Sequence, residues 1–156
     1  MEPATSSSPV DDEAAKTLAS PSHDDRLLAM LAHILQIVSW FVGPLVIFLV
    51  KRESRFVRFH ALQALIWQAF LAVLWVFAMM AFFATVMMPL MMGHPRMGSH
   101  EPPVGILMVI PIFWLLGIGG WALNVVLGIV YGIKANNAQW ASYPIIGKWA
   151  WRFSGK

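Results

Sequence analysis

The sequence predicts an all-α integral membrane protein with three apolar segments, at about residues 27–50, 59–92 and 104–133. Two features of the composition support this fold class. Hydrophobic residues make up 58% of the 156-residue chain and charged residues only 12%, whereas a soluble domain carries about 25% charged residues. None of the acidic residues falls inside an apolar segment, as expected where a carboxylate in hydrocarbon costs roughly 3 kcal/mol.

Residues 1–23 precede the first apolar segment and are acidic and rich in serine and proline. Such a composition buries too little apolar surface to order itself, so we expect a disordered tail. It has no basic start and no short apolar core, so no cleavable signal peptide is predicted. The first apolar segment should therefore act as its own insertion signal.

The first apolar segment contains the helix-breaking pair Gly43–Pro44 near its middle. The favoured interpretation is a single kinked span, which places the N-terminus outside. The alternative is a re-entrant hairpin at Gly43–Pro44, which returns the N-terminus to the cytoplasm. Each half would have about 12 residues and reach about 18 Å, too short to cross a bilayer.

A cationic loop separates the first two apolar segments and contains Lys51, Arg52, Arg55 and Arg58 against the single acid Glu53. Short loops rich in lysine and arginine remain in the cytoplasm, where anionic lipid attracts them. The loop at 93–103 carries only Arg96 and Glu101 and is expected outside. These features predict insertion in the bacterial inner membrane.

The third apolar segment carries small or polar residues at four-residue spacing, namely Gly120, Asn124, Gly128 and Gly132. This spacing places them on one helical face, where small residues allow another helix to approach closely. The stripe predicts helix packing against the first segment, the second segment or a second copy. A substrate-lining role for Asn124 is the alternative.

Residues 134–156 form a basic aromatic tail. It interleaves Trp140, Tyr143, Trp149 and Trp151 with Lys148 and Arg152. Aromatic rings beside basic side chains are typical of the headgroup region, so the tail is expected at the cytoplasmic surface. Similar patterns stack nucleobases, but the adjoining apolar segment makes lipid the expected partner and no nucleic-acid partner is predicted.

Three stretches, "DDRLLAMLAHI", "GPLVIFLVKRESRFVRFHALQAL" and "YGIKANNAQWASYPIIG", resemble the signature regions of a bacterial family of small membrane proteins of unknown function. That family is similar to the channel component of the chloroplast inner-envelope protein-import translocon. The resemblance covers about residues 24–147 and implies a compact helical membrane domain (residues 24–133) without an assigned activity. The plant component is thought to have four spans, whereas residues 27–50 are too few for two. Clustering of the three stretches at the cytoplasmic face favours the hairpin.

Four polar side chains in the apolar segments, His33, Gln36, His60 and Gln63, are functional candidates because polar groups are costly in hydrocarbon. In the hairpin alternative, the two His/Gln pairs meet and form a proton-responsive or hydrophilic patch. With a full first span, His33 and His60 lie at opposite faces of the membrane. The competing interpretation is that all four are hydrogen-bonded packing residues.

Soft and borderline donors gather near the loop at 93–103: Met91, Met92, His94, Met97 and His100. This donor set suits copper(I), although methionine is also an ordinary apolar filler. No ligand spacing is defined, so copper binding is a minor hypothesis and no cofactor is predicted.

Motifs of known enzymes are absent from the sequence, including G-x-S-x-G, the Walker loop and HExxH. The chain is therefore not expected to be an enzyme. The leading hypothesis is a small membrane protein that acts by association, as an accessory subunit or homo-oligomer in the bilayer. The alternative is a transporter or channel-like pore, which would need several copies to line an aqueous path.

Overall fold

The computed structural model describes residues 20–92 and 104–144, which form helices joined by short non-helical segments and contain no strand. Helix α1 spans His23–Ser39, α2 spans Val42–Val50, α3 spans Arg55–Phe82 and α4 spans Val104–Asn136. Helix α3 continues through a π-helical turn, Phe83–Met87, into a short α-helical turn, Met88–Met91. The all-α prediction is confirmed for the part of the chain described here.

Helix α1 begins at a side-chain cap and ends in a left-handed residue. The Ser22 hydroxyl accepts a hydrogen bond from the Asp25 N–H at 3.1 Å, which satisfies one free donor of the first turn. Trp40 follows the helix with a φ of 57°. The Ser39 hydroxyl donates to the Leu35 carbonyl at 2.8 Å and accepts from the Gly43 N–H at 3.1 Å. It thus connects the end of α1 to the start of α2.

The break between α1 and α2 lies at Trp40 and Phe41, before the Gly43–Pro44 pair at which the sequence analysis placed it. Pro44 is the third residue of α2. A proline is tolerated in the first helical turn because its missing N–H would have no intrahelical partner there. The pair therefore belongs to the start of the second helix.

Helix α2 runs back alongside α1. At the open end, Lys51 Nζ lies 4.0 Å from Asp25 Oδ1. At the turn, a Cβ on Gly43 would lie 2.5 Å from Leu35 Cβ, so the two helices approach each other too closely there for any larger residue. A buried cluster formed by Ala32, Ile47, Val57 and Ala61 joins α1, α2 and α3.

Two helical stretches are long and apolar enough to cross a membrane, Arg55–Met91 with 37 residues and Leu107–Asn136 with 30. Their outer faces carry large exposed side chains, such as Phe77 at 65% and Leu115 at 72% of full exposure. The core helix of a soluble protein would bury these groups, because exposing them to water is unfavourable. These surfaces fit a lipid environment.

The buried core lies in the half of the molecule where α1 and α2 pack against the first half of α3 and the second half of α4. Its largest fully buried side chains include two histidines and two glutamines. In the other half, α3 and α4 meet mainly through rings, with Phe113 5.2 Å from Trp75 and 4.8 Å from Phe82 between centroids. The fold thus concentrates its polar groups in one place.

Candidate functional site

The structure brings together all four polar candidates from the first two apolar segments. His33 and Gln36 on α1, and His60 and Gln63 on α3, are each completely buried. His33 Nε2 lies 3.0 Å from His60 Nδ1. The two pairs therefore meet, as the hairpin alternative required, while their functional role remains a prediction.

The segment after α4 completes this site. Helix α4 ends in a Schellman-type turn, in which Ala138 adopts a φ of 58° and the Gln139 N–H donates to the Lys134 carbonyl at 3.0 Å. The turn directs Gln139–Tyr143 back over the helices. Tyr143, which the sequence analysis placed in a surface tail, has a side chain only 2% exposed.

Gln63 holds this segment in an extended form through both ends of its amide. Its Oε1 accepts from the Tyr143 N–H at 2.6 Å, and its Nε2 donates to the Ala141 carbonyl at 3.0 Å. The Tyr131 hydroxyl adds a bond to the Ser142 carbonyl at 3.1 Å. Backbone groups of a non-helical segment would otherwise lack partners in an apolar setting.

The two histidines form a directed chain of hydrogen bonds. His60 Nε2 lies 3.1 Å from the Gln139 carbonyl, which can only accept, so this nitrogen carries the proton. In the neutral ring Nδ1 is then the acceptor for His33 Nε2–H, and His33 Nδ1 accepts from the Tyr143 hydroxyl at 2.9 Å. The Tyr143 oxygen in turn accepts from Gln36 Nε2 at 3.2 Å.

This chain ends at a backbone carbonyl, which accepts a hydrogen bond and cannot release a proton onward. Burial raises the pKa of the Tyr143 hydroxyl above its ordinary range, and the hydrogen bond from Gln36 opposes this only in part. The phenol therefore stays neutral at physiological pH. The arrangement suits a closed polar core that joins α1, α3 and the segment after α4.

Asn124 links a second set of polar groups to the first. Its Oδ1 accepts from Trp67 Nε1 at 3.0 Å and from Gln68 Nε2 at 3.3 Å. Gln68 Nε2 also donates to the Gln36 carbonyl at 2.6 Å. Together, these side chains form what we call the polar network: His33, Gln36, His60, Gln63, Trp67, Gln68, Asn124 and Tyr143.

Neither Gln68 nor a buried role for Tyr143 was predicted from the sequence. Gln68 lies eight residues after His60, so a helical-face plot of α3 could have found it. Tyr143 lies outside any helix, and no periodic pattern relates it to the residues that it contacts.

The stripe on α4 divides between two environments. A Cβ on Gly128 would lie 2.8 Å from the His33 carbonyl oxygen, and one on Gly132 would lie 3.4 Å from Ile34 Cδ1. These two glycines therefore pack against α1 of the same chain. A Cβ on Gly120 would meet nothing within 4 Å.

The cationic loop lies where α2 ends and α3 begins. Lys51 faces Asp25, Arg52 Nε donates to the Leu49 carbonyl at 3.1 Å, and the Arg58 guanidinium lies 5.8 Å from the centre of the Phe48 ring. Arg55 begins α3. All four cations are thus near the open end of the α1–α2 pair.

Of the suggested copper ligands, Met91 and Met92 close the α3 extension and are 78% and 64% exposed. His94, Met97 and His100 lie outside the described residues. Within residues 20–92 and 104–144, no group of three His, Asp or Glu side chains is placed to hold a metal ion.

Comparison with known proteins identifies one family. Its model, the magnetosome magnetite crystal formation protein family, matches residues 24–150. No curated protein and no solved structure gave a significant match. The family match supports the resemblance to small bacterial membrane proteins, while the similarity to the chloroplast translocon channel stays an expectation.

The matched region contains both long apolar helices, their exposed outer faces and the whole polar network. The chain is accordingly an all-helical integral membrane protein, and it belongs to the magnetosome magnetite crystal formation protein family.

Proposed function

We propose that this chain is a non-catalytic accessory protein of magnetite crystal formation, acting from within the membrane that surrounds or borders the growing crystal. The observation that carries the proposal is the family match, which extends over nearly all of the described residues. The fold contributes a rigid membrane scaffold whose interior is occupied by its own side chains.

The polar network supports a structural role for the buried histidines. Both ring nitrogens of His33 and of His60 have partners within 3.1 Å. A catalytic base or acid needs a proton path to a substrate, whereas these rings bond to one another, to Tyr143 and to a backbone carbonyl. We infer that the protein acts by association.

The helix lengths support a topology with two crossing helices and a re-entrant pair. Helix α1 has 17 residues and α2 has nine, about 25 Å and 14 Å at 1.5 Å per residue, so α2 is too short to cross. Both enter from the end that carries the cationic loop. We place this end, together with the N-terminus and the segment after α4, in the cytoplasm.

Association partners would contact the outer faces of α3 and α4. Gly128 and Gly132 already pack against α1, so a partner helix or second copy would use other surfaces. Within residues 20–92 and 104–144, no observation favours a transporter, since the network is closed by hydrogen bonds within the chain, and no metal-binding group favours copper binding.

The test is deletion of the gene in a magnetite-forming host, followed by complementation with the wild-type chain and with Gln63→Leu. Gln63→Leu removes both bonds to the segment after α4. We expect deletion to change the crystal size distribution in electron micrographs, wild-type protein to restore it, and the variant to restore it incompletely.

The control measures the amount of a tagged copy of each protein in the membrane fraction. A variant that is degraded would fail to restore the crystals whatever the role of Gln63. Crystals of unchanged size and number in the deletion strain would contradict the proposal.

A further inference from the structure

An apolar groove runs along the outer side of α3 and α4, next to the turn between α1 and α2. Its inner part is a cavity of about 330 Å³ whose lining includes Trp40, Trp75, Gly120, Trp121 and Asn124. A second cavity of about 370 Å³ shares Trp75, Gly117 and Trp121 with the first and continues to Phe113. We call these two adjoining cavities the membrane groove.

The membrane groove follows the axis of α4. Along α4 it extends from Phe113 to Asn124, about 16 Å at 1.5 Å per residue. Rings of Trp75 and Trp121 form its middle, and Trp40 stands at its inner end. This length and the apolar lining fit an extended hydrocarbon chain.

Asn124 supplies a polar atom at the inner end. Its side chain is only 4% exposed, and an indole N–H can only donate, so the bond from Trp67 fixes which atom is Oδ1. Among the residues that the structure describes, the hydrogen bonds of this amide are made by Oδ1. Its Nδ2 hydrogens are left as donors where Asn124 lines the groove.

A packed helix fits this surface poorly. Close helix approach needs small residues on successive turns, but the Cβ position of Gly117 is already covered by the Trp75 ring at 3.3 Å. Only Gly120 remains open on this face. The groove therefore has room for a chain and no flat surface for a second helix.

We propose that the membrane groove binds one hydrocarbon chain of a lipid that carries an uncharged carbonyl oxygen, with this oxygen accepting from Asn124 Nδ2. The apolar walls match the chain, and the buried donor matches the oxygen. A charged headgroup would not suit the inner end, because the residues that line it include no charged side chain. This site is independent of the role in crystal formation.

The test uses photocrosslinking of purified protein in phosphatidylcholine vesicles. The probe is a long-chain fatty acid methyl ester with a diazirine in its chain, and mass spectrometry maps the labelled residues. We expect labelling at groove residues such as Trp75 and Trp121. The matching diazirine alkane, which lacks the carbonyl, should label these residues about fivefold less, the effect of one hydrogen bond.

Two adjacent glycines provide a matched pair of variants. A Cβ on Gly119 or Gly120 would meet nothing within 4 Å, but only Gly120 lines the groove. Gly120→Leu should fill the cavity and reduce labelling about tenfold, whereas Gly119→Leu should leave it unchanged. Equal thermal stability of the two variants would show that Gly120→Leu is folded. If Gly120→Leu is unstable, the smaller substitution Gly120→Ala takes its place in the comparison.

Equal labelling in both variants, or labels spread evenly over α3 and α4, would overturn the proposal in favour of general lipid contact. Disulfide-linked dimers of Trp121→Cys formed under oxidation, in a chain with no other cysteine, together with loss of probe labelling, would show that a second copy occupies the groove and would also overturn the proposal.

Discussion

Tyr143 contributes more contacts to the polar network than any neighbouring residue of the non-helical segment. Its hydroxyl contacts His33 and Gln36, and its N–H donates to Gln63. Its ring lies 4.2 Å from the Tyr131 ring between centroids. One residue thus connects α1, α3 and α4, so its removal should loosen all three helices together.

Replacing Tyr143 with phenylalanine should destabilise the fold by about 1–3 kcal/mol, because His33 Nδ1 and Gln36 would lose a buried partner while the ring packing remains. Thermal and denaturant unfolding in detergent, followed by near-UV circular dichroism, would measure this.

Tyr131→Phe is the matched control. Among the residues that the structure describes, the Tyr131 hydroxyl makes one hydrogen bond, to the Ser142 carbonyl in a partly buried place, so its loss should cost less, about 0.5–1.5 kcal/mol. Equal losses in the two variants would show that the hydroxyl of Tyr143 does not hold the network together.

Tyr143 also predicts a dependence of stability on alkaline pH. Burial raises the pKa of its hydroxyl above the ordinary value of 10.0, so the folded state keeps a proton that the unfolded state loses. The stabilisation from this group is complete below pH 10.0 and decreases as the pH rises above it. Unfolding curves between pH 8 and 11 should show a steeper loss for the wild type than for Tyr143→Phe. If stability falls equally with pH in the two proteins, the Tyr143 hydroxyl is not the source of the pH dependence.

At the scale of elements, the contact between α4 and α1 depends on where the glycines lie. A Cβ on Gly128 would sit 2.7 Å from Ile37 Cδ1 and 2.8 Å from the His33 carbonyl oxygen, while one on Gly119 would meet nothing within 4 Å. The same substitution should therefore have opposite effects at the two positions.

Gly128→Ala should cost about 1–3 kcal/mol, because α1 must move away from α4. Gly119→Ala should raise the free energy of unfolding by up to about 1 kcal/mol, because alanine has a higher helix propensity than glycine. Thermal unfolding of both variants in one detergent measures the difference, and a Gly128→Ala protein as stable as the wild type would mean that α1 and α4 do not touch there.

The sequence predicted the helices and the polar candidates, but not the place of the break in the first apolar segment. Gly43 and Pro44 are the residues that most strongly disfavour a helix interior. The chain turns earlier, at Trp40, whose positive φ is unusual for a bulky residue. The Ser39 hydroxyl bonds to the Leu35 carbonyl within α1 and accepts from the Gly43 N–H across the turn, and helix propensity does not report such a side-chain bridge.

At the scale of the whole molecule, the proposed topology places both ends of the chain on one side. The chain contains no cysteine, so single-cysteine variants can be labelled without background. Ser8→Cys and Ser154→Cys should be protected from a membrane-impermeant maleimide in intact spheroplasts and react after lysis, whereas Ser99→Cys should react from outside. Labelling of Ser8→Cys in intact spheroplasts would restore the single kinked span.

The candidate site could be predicted only in part for a similar reason. His33, Gln36, His60 and Gln63 were identifiable because polar residues within apolar helices are rare and costly. Their partner Tyr143 was not, since it is 80 residues from Gln63 and reaches it through the turn after α4. Helical periodicity predicts which residues share a face of one helix. It does not predict contacts between segments that are distant in sequence, which only the packed structure shows.

The segment Gln139–Tyr143 is made after every helix that it binds. While the ribosome is still extending the nascent chain, the imidazoles and amides of α1 and α3 have already entered the bilayer without the groups that will satisfy them. Newly made chains therefore acquire these hydrogen bonds only after the segment that follows α4 has been synthesised, and truncation before Gln139 should leave the imidazoles and amides without them.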